Sequence, residues 1–135
     1  MAMVYSNLED YSQALEYYTK YLDMMLVTLG TQAPSVGVTY NNMAMVYSKQ
    51  GDYPRALEYY RKCLDIMLGR LGPDHPSIAT TYNGVAEVYD KQGVYPLALE
   101  YYQMCLDIRL ARLGADHIDT QHTQRRIDRV KDKMN

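Results

Sequence analysis

The sequence has no phenylalanine and no tryptophan, and its aromatic residues are 15 tyrosines in a chain of 135 residues. Tyrosine packs its ring against apolar neighbours while its hydroxyl stays within reach of water or a polar partner. This usage is typical of thin layers, in which few side chains lie far from solvent. Because the tyrosines recur at helical spacing, we expect most of them to pack in or near a core.

Long apolar runs and a surplus of charge are also lacking. No apolar run approaches the roughly 20 residues of a membrane-spanning helix, and the start, MAMVYSNLEDY, has no basic segment leading into an apolar one. A net charge of −2 and a pI near 5.9 disfavour a nucleic-acid binder, which usually has a basic surplus. We therefore expect a cytoplasmic protein with no membrane and no nucleic-acid partner.

Cysteine is scarce, and its two occurrences, Cys63 and Cys105, lie 42 residues apart at the same position of a repeat. Packed helical units lie about 8–10 Å apart, whereas a disulfide needs Cα atoms within about 7 Å. The spacing therefore predicts two unbridged, buried thiols, which fits a reducing compartment.

The sequence repeats itself every 42 residues. The segment 51–75, GDYPRALEYYRKCLDIMLGRLGPDH, recurs at 93–117 and, more loosely, at 9–33. A fixed period between about 20 and 50 residues indicates an array of stacked units.

Each repeat reads as two helices, of which the first is predicted over 34–50 and 76–92 and the second over 53–71. Prolines suit the first turns, and Gly51 and Gly93 suit the left-handed residue that closes a helix. The predicted buried face of the second helix consists of Tyr53, Ala56, Leu57, Tyr60, Cys63, Leu64, Met67 and Leu68.

The repeats predict an all-α right-handed solenoid that forms a single repeat domain over residues 1–135. It divides into a truncated first repeat (1–33), a second (34–75), a third (76–117) and a C-terminal capping helix (118–135), in which apolar residues thin out. Met1 aligns with Met43, inside a first helix. Either the sequence is a fragment of a longer array, or a second molecule covers its apolar start.

The pattern of large and small residues resembles the tetratricopeptide repeat, whose two helices are called A and B. It is carried by Tyr40, Met43, Ala44 and Tyr47 in helix A and by Tyr53, Ala56 and Tyr60 in helix B. The 42-residue length, Tyr40-Asn41-Asn42-Met43-Ala44 and the join Leu71-Gly72-Pro73-Asp74-His75-Pro76 look more narrowly like the kinesin light chain type. Thr31-Gln32-Ala33, Gly84 and Ile118 depart from that pattern.

The resemblance implies a protein-interaction scaffold in which the A helices line a concave groove that holds a peptide. An asparagine amide there can both donate to and accept from a peptide backbone; alternatively, the asparagines only hold helix–helix contacts. The predicted groove residues are Asn41, Asn42, Met45 and Lys49 in one A helix, Asn83, Glu87 and Lys91 in the next, and His122, Arg125, Arg126, Arg129 and Lys133 in the capping helix.

Basic residues at 125, 126, 129 and 133 share one face of the capping helix. Arginine donors suit a carboxylate, so the natural ligand is an acidic peptide or a free C-terminus. The alternative is a cap that is basic only because it must be polar and because cations favour a helix C-terminus.

A second hypothesis is a self-assembly module, in which the N-terminal edge docks on another copy of the chain to form a homo-oligomer. This edge comprises Met1, Val4, Tyr5, Leu8, Leu15 and Leu22. The sequence shows no nucleophile–base pairing, no phosphate-binding glycine loop and no metal-ligand set, so we expect no enzyme, no cofactor and no metal.

Overall fold

The computed structural model describes residues 8–135, with side chains from residue 10 onward, and this part of the chain consists of helices joined by short turns. The helices are α1 (Leu8–Leu29), α2 (Pro34–Gln50), α3 (Tyr53–Leu71), α4 (Pro76–Gln92), α5 (Tyr95–Leu113) and α6 (Ile118–Met134). The bounds of α2, α3 and α4 are those predicted from the repeat, and the described residues contain no strand. The all-α prediction is confirmed.

Glycine closes the A helices, as the sequence predicts. Gly51 at the end of α2 has φ 83° and ψ 9°, and Gly93 at the end of α4 has φ 79° and ψ 14°, both left-handed. A side chain with a Cβ atom rarely adopts this conformation, so glycine is favoured here.

The histidines of the joins are N-caps. The Nδ1 atom of His75 accepts a hydrogen bond from the backbone N–H of Ser77 at 3.1 Å, and Nδ1 of His117 accepts one from Asp119, also at 3.1 Å. Each bond satisfies one of the N–H groups that a helix start leaves unpaired. At the corresponding position before α2, Ala33 makes no side-chain cap bond. Because Ala33 stands where the other two joins have histidine, α2 lacks this side-chain cap.

The described residues form two compact units, of which the first ends at Arg70 and the second runs from Leu71 to Asn135. In the first unit, α1, α2 and α3 enclose a core of Leu22, Met25, Val36, Met43 and Ile66. At the edge of this core the ring of Tyr59 stacks on Tyr47, with centroids 5.3 Å apart, and tilts against Tyr40 at 5.8 Å.

The second unit contains α4, α5 and α6, and its tyrosine contacts repeat those of the first unit one period later. Its core contains Ala86, Ala98, Tyr102, Leu106, Ile127 and Val130, contributed by α4, α5 and α6. Tyr101, which is equivalent to Tyr59, stacks on Tyr89 at 5.8 Å and tilts against Tyr82 at 5.9 Å. Equivalent residues thus hold α3 against α2 and α5 against α4.

One part of the predicted buried face of α3 is wrong. Leu68 is exposed, whereas Ile66, which the spacing argument left out, is only 3% exposed. A Cβ atom placed at Gly37 of α2 would lie 3.4 Å from Cγ2 of Ile66, so this side of α3 faces its own A helix. The buried face of α3 is therefore rotated toward α2, relative to the face that sequence spacing predicts.

Both cysteines are buried and neither forms a disulfide, as predicted. Cys105 lies 3.7 Å from the hydroxyl of Thr123, measured from Sγ to Oγ1. Burial raises the pKa of the Cys105 thiol, although the nearby Arg109 charge and the Thr123 hydrogen bond offset part of this. The thiol is a packing group of low reactivity.

Candidate peptide-binding site

A polar network in the second unit joins α4 to α6. The amide Nδ2 of Asn83 donates to Oε1 of Glu87 at 3.1 Å, and the same oxygen lies 3.7 Å from Nη1 of Arg126. Nε of Arg126 donates in turn to Nε2 of His122 at 3.5 Å. Four residues predicted from the sequence are therefore brought together, but the carboxylate of one already pairs with the guanidinium of another.

Lys133 is also paired within the chain. Its Nζ atom lies 2.9 Å from Oδ1 of Asp90 on α4 and 5.7 Å from the ring centroid of Tyr95 on α5. The Asp90 side chain is only 14% exposed, so water screens this pair less than a pair at the surface. Lys133 therefore tethers the end of α6 to the other two helices of its unit.

Arg125 and Arg129 differ from Arg126 and Lys133. Both are exposed on α6, and no carboxylate of the described residues lies within ion-pair distance of either. They are spaced i, i+4 and so lie on one helical face. Of the predicted basic cluster, these two arginines are the ones that keep their guanidinium donors available to a ligand.

Two buried polar atoms lie beside this network without a partner in the described part of the chain. They are Oδ1 of Asn83 and the hydroxyl of Tyr102, a side chain that is fully buried. Burial and then the Glu87 charge raise the pKa of Tyr102 to about 12, while the Arg126 charge offsets part of the rise. The hydroxyl is therefore neutral at physiological pH.

The predicted residues of α2 belong to the first unit. Asn41 and Asn42 are half-buried, Met45 and Lys49 are exposed, and Nδ2 of Asn41 lies 3.6 Å from Sδ of Met45. In the second unit, the remaining predicted residue Lys91 is exposed. These positions are accessible at least in part, as the prediction of a ligand-facing side requires.

The N-terminal edge proposed for self-assembly is only partly within the description. Met1, Val4 and Tyr5, together with the side chain of Leu8, lie outside the described residues. Leu22 is 8% exposed and Leu15 is half-buried against the core of α1, α2 and α3. Leu22 is therefore not an exposed edge residue, because it fills the space between α1 and α2.

Sequence reasoning missed Asp90 and Tyr102. Asp90 stands where the preceding repeat has Ser48, and that departure from the repeat was an available signal. The position of Tyr102 holds a tyrosine in all three repeats (Tyr18, Tyr60 and Tyr102), so the repeat pattern does not distinguish Tyr102 from the other two.

Other kinds of site find little support among the described residues. No group of three or more histidine, cysteine or acidic side chains is placed to hold a metal ion. None of the helices in this part of the chain is long and apolar enough to cross a membrane.

Comparison with known proteins identifies the repeats. A family model of the tetratricopeptide repeat matches residues 1–69 and again 35–111. The chain belongs to the tetratricopeptide repeat family, whose members serve as protein-interaction scaffolds. A search of curated proteins found no match.

Solved structures show the same fold. A protein from Podosopora anserina assigned as a kinesin light chain, with nearly identical TPR-like repeats, has a TM-score of 0.83 at 22% sequence identity. BtubC (BKLC) from P. vanneervenii has a TM-score of 0.84 at 22% identity. Each comparison covers 96% of this chain, and the chain spans 61% and 52% of the respective proteins. The likeness confirms an all-α repeat fold of the solenoid class.

Proposed function

We propose that the chain binds an acidic peptide segment on the α4–α6 side of its second unit, with Arg125 and Arg129 as the charged anchors. The supporting observation is that these two arginines are exposed and unpaired among the described residues, whereas Arg126 and Lys133 are held by Glu87 and Asp90. A guanidinium that has no carboxylate partner gains most from a ligand that brings one.

The internally paired residues have a different role in this proposal. Arg126 and Glu87 are each about one-quarter to one-third exposed, with side-chain values of 26% and 33%. Their pairing fixes the spacing of α4 and α6, and Asn83 extends it along α4. They shape the surface on which the peptide lies, and the exposed His122 supplies a polar group for its backbone.

The test measures binding of a fluorescein-labelled peptide of alternating glutamate and glycine by fluorescence anisotropy at about 0.15 M salt, where the screening length is about 8 Å. Arg125→Glu/Arg129→Glu should weaken binding by at least about tenfold, because attraction becomes repulsion at both anchors. The same peptide with glutamine in place of glutamate should bind the wild type much more weakly.

A matched control reverses the same number of charges elsewhere. Lys131→Glu/Arg61→Glu changes one exposed residue on the opposite side of α6 and one on α3. It should leave affinity within about twofold once salt screens the long-range field. Equal weakening by the two double variants would show that net charge alone attracts the peptide and would reject the anchors.

A further inference from the structure

A small cavity lies at the end of the second unit where α4 and α6 begin and α5 ends. It encloses about 50 Å³, and its lining includes Thr80 of α4, Ile108, Arg109 and Arg112 of α5, and Asp119 of α6. Because Arg112 and Asp119 are exposed, the cavity opens to solvent. We call it the junction cavity. Its charged residues are not among those predicted to bind a peptide.

The guanidinium of Arg109 is held in the cavity wall without a carboxylate partner. Its Nη1 atom donates to Oγ1 of Thr123, a side chain that is 0% exposed, at 2.7 Å. The hydroxyl of Thr120 donates to the Arg109 carbonyl at 3.3 Å. No carboxylate within residues 10–135 lies at ion-pair distance from Arg109. A guanidinium has five N–H donors, so a positioned side chain keeps hydrogen-bonding capacity for a ligand.

Asp119 lines the same cavity and also lacks a cationic partner. Nδ1 of His117 lies 3.9 Å from Oδ2 of Asp119. That nitrogen accepts a hydrogen bond from the Asp119 backbone N–H at 3.1 Å, so it is the unprotonated nitrogen of a neutral imidazole. Arg112, the other cation of the lining, pairs with Asp74 at 3.3 Å. Arg109 and Asp119 are therefore the two unpaired charges of the cavity within the described part of the chain.

These two charges are specific to the last repeat. Arg109 stands where the earlier repeats have Met25 and Met67, and Asp119 stands where the preceding repeat has Ser77. A cation and an anion thus replace uncharged residues at two positions that line one cavity, yet they do not pair with each other. Packing in the earlier repeats does not need these charges.

A ligand that carries both charges matches this lining. A simple anion would be attracted by Arg109 and repelled by Asp119, and a simple cation would experience the reverse. A water-sized group needs about 10–15 Å³ of cavity space, so about 50 Å³ holds roughly three to five such groups. This is the size of an ammonium group, a carboxylate and the carbon that joins them. A larger side chain would extend through the open side.

We propose that the junction cavity binds a free α-amino acid through its zwitterionic main-chain groups. The carboxylate accepts hydrogen bonds from Arg109, the ammonium group donates to Asp119, and Ile108, which is 7% exposed, packs against the carbon between them. This inference does not rest on the proposed acidic peptide, whose anchors are Arg125 and Arg129.

The probe is L-alanine, titrated into the isotope-labelled whole chain and followed by amide chemical shifts in NMR spectra. The amides of Asp119, Thr120 and Thr123 should shift and saturate. Two analogues each lack one charge: propionate has no ammonium group, and ethylamine has no carboxylate. Each should bind at least about tenfold more weakly than L-alanine, because it leaves one charge of the cavity without a partner.

The earlier repeats supply the variants. Arg109→Met and Asp119→Ser introduce the residues found at the equivalent positions, which the repeat fold accommodates. Each variant should weaken L-alanine binding at least about tenfold, since a charge-assisted hydrogen bond is lost. The matched control is Arg125→Met, which removes an exposed arginine of α6 that does not line the cavity. It should leave the affinity for L-alanine within about twofold.

Two results with the wild-type chain would overturn the proposal, whatever the variants do. Equal affinity for L-alanine and propionate would show that the cavity takes any small carboxylate. The absence of saturable shifts near Arg109 and Asp119 would show that solvent alone separates the two charges. Neither result would bear on the acidic peptide, whose binding is measured with different variants.

Discussion

The buried hydroxyl of Tyr102 should make the stability of the protein fall between pH 10 and 12. The side chain is fully buried, its hydroxyl has no hydrogen-bond partner among the described residues, and its pKa is raised to about 12 by burial and by the Glu87 charge. A tyrosine in an unfolded chain has a pKa near 10. Below pH 10 both states keep the proton.

Above pH 10 the unfolded chain releases this proton while the folded chain keeps it, so unfolding becomes more favourable. The difference of one bound proton lowers the free energy of unfolding by up to about 1.4 kcal/mol per pH unit. Over the two pH units between 10 and 12 the folded state therefore loses roughly 2–3 kcal/mol of stability. Tyr102→Phe removes this loss. At pH 7 it should be neutral or slightly stabilising, because it also removes an unsatisfied buried polar group.

The assay is urea denaturation followed by circular dichroism from pH 7 to pH 11.5, with reductant to keep both cysteines reduced. The wild type should lose roughly 2 kcal/mol more than Tyr102→Phe over this range. The control is Tyr17→Phe, which alters a side chain that is 65% exposed and should follow the wild-type profile. Parallel profiles for the wild type and Tyr102→Phe would refute the reasoning.

Further predictions concern the stability of single elements, all measured as the free energy of unfolding in urea. His75→Ala should cost about 0.5–2 kcal/mol because the N–H of Ser77 loses its cap, and His75→Asp should restore most of that loss. Gly37→Ala should be neutral or stabilising by up to about 1 kcal/mol, since alanine favours the helix and the flexible end of Met67 can shift to make room. A clear loss of stability would show that Met67 does not shift. Ala56→Leu should cost about 1–3 kcal/mol because Ala56 is fully buried, and no loss would contradict a close helix crossing there.

The helices were predictable because their signals are local. Proline in the first turn and Gly51 at the end of α2 fix where a helix can begin and end, whatever the helix packs against. The 42-residue period then places equivalent residues in equivalent environments, so Tyr59 and Tyr101 make the same ring contacts. Repetition lets one correctly assigned repeat define the next.

The faces of the helices were less predictable. Spacing alone put Leu68 in the core and left Ile66 out, because an apolar stripe does not say toward which neighbour a helix is turned. Leu22 was assigned to the N-terminal self-association edge because the first repeat was expected to be uncovered there, but Leu22 packs against α2. In each case the deciding contact joins residues far apart in the sequence.

The sequence by itself determined the family of this protein, the bounds of its helices and its candidate anchors, since propensity, capping and period are properties of neighbouring residues. Only the tertiary structure divided the basic cluster into paired and unpaired members. Arg126 and Lys133 find their carboxylates 39 and 43 residues away on α4, and Arg125 and Arg129, on the same helix, find none among the described residues. Charge is encoded residue by residue, but its availability to a partner depends on which helices the core brings side by side.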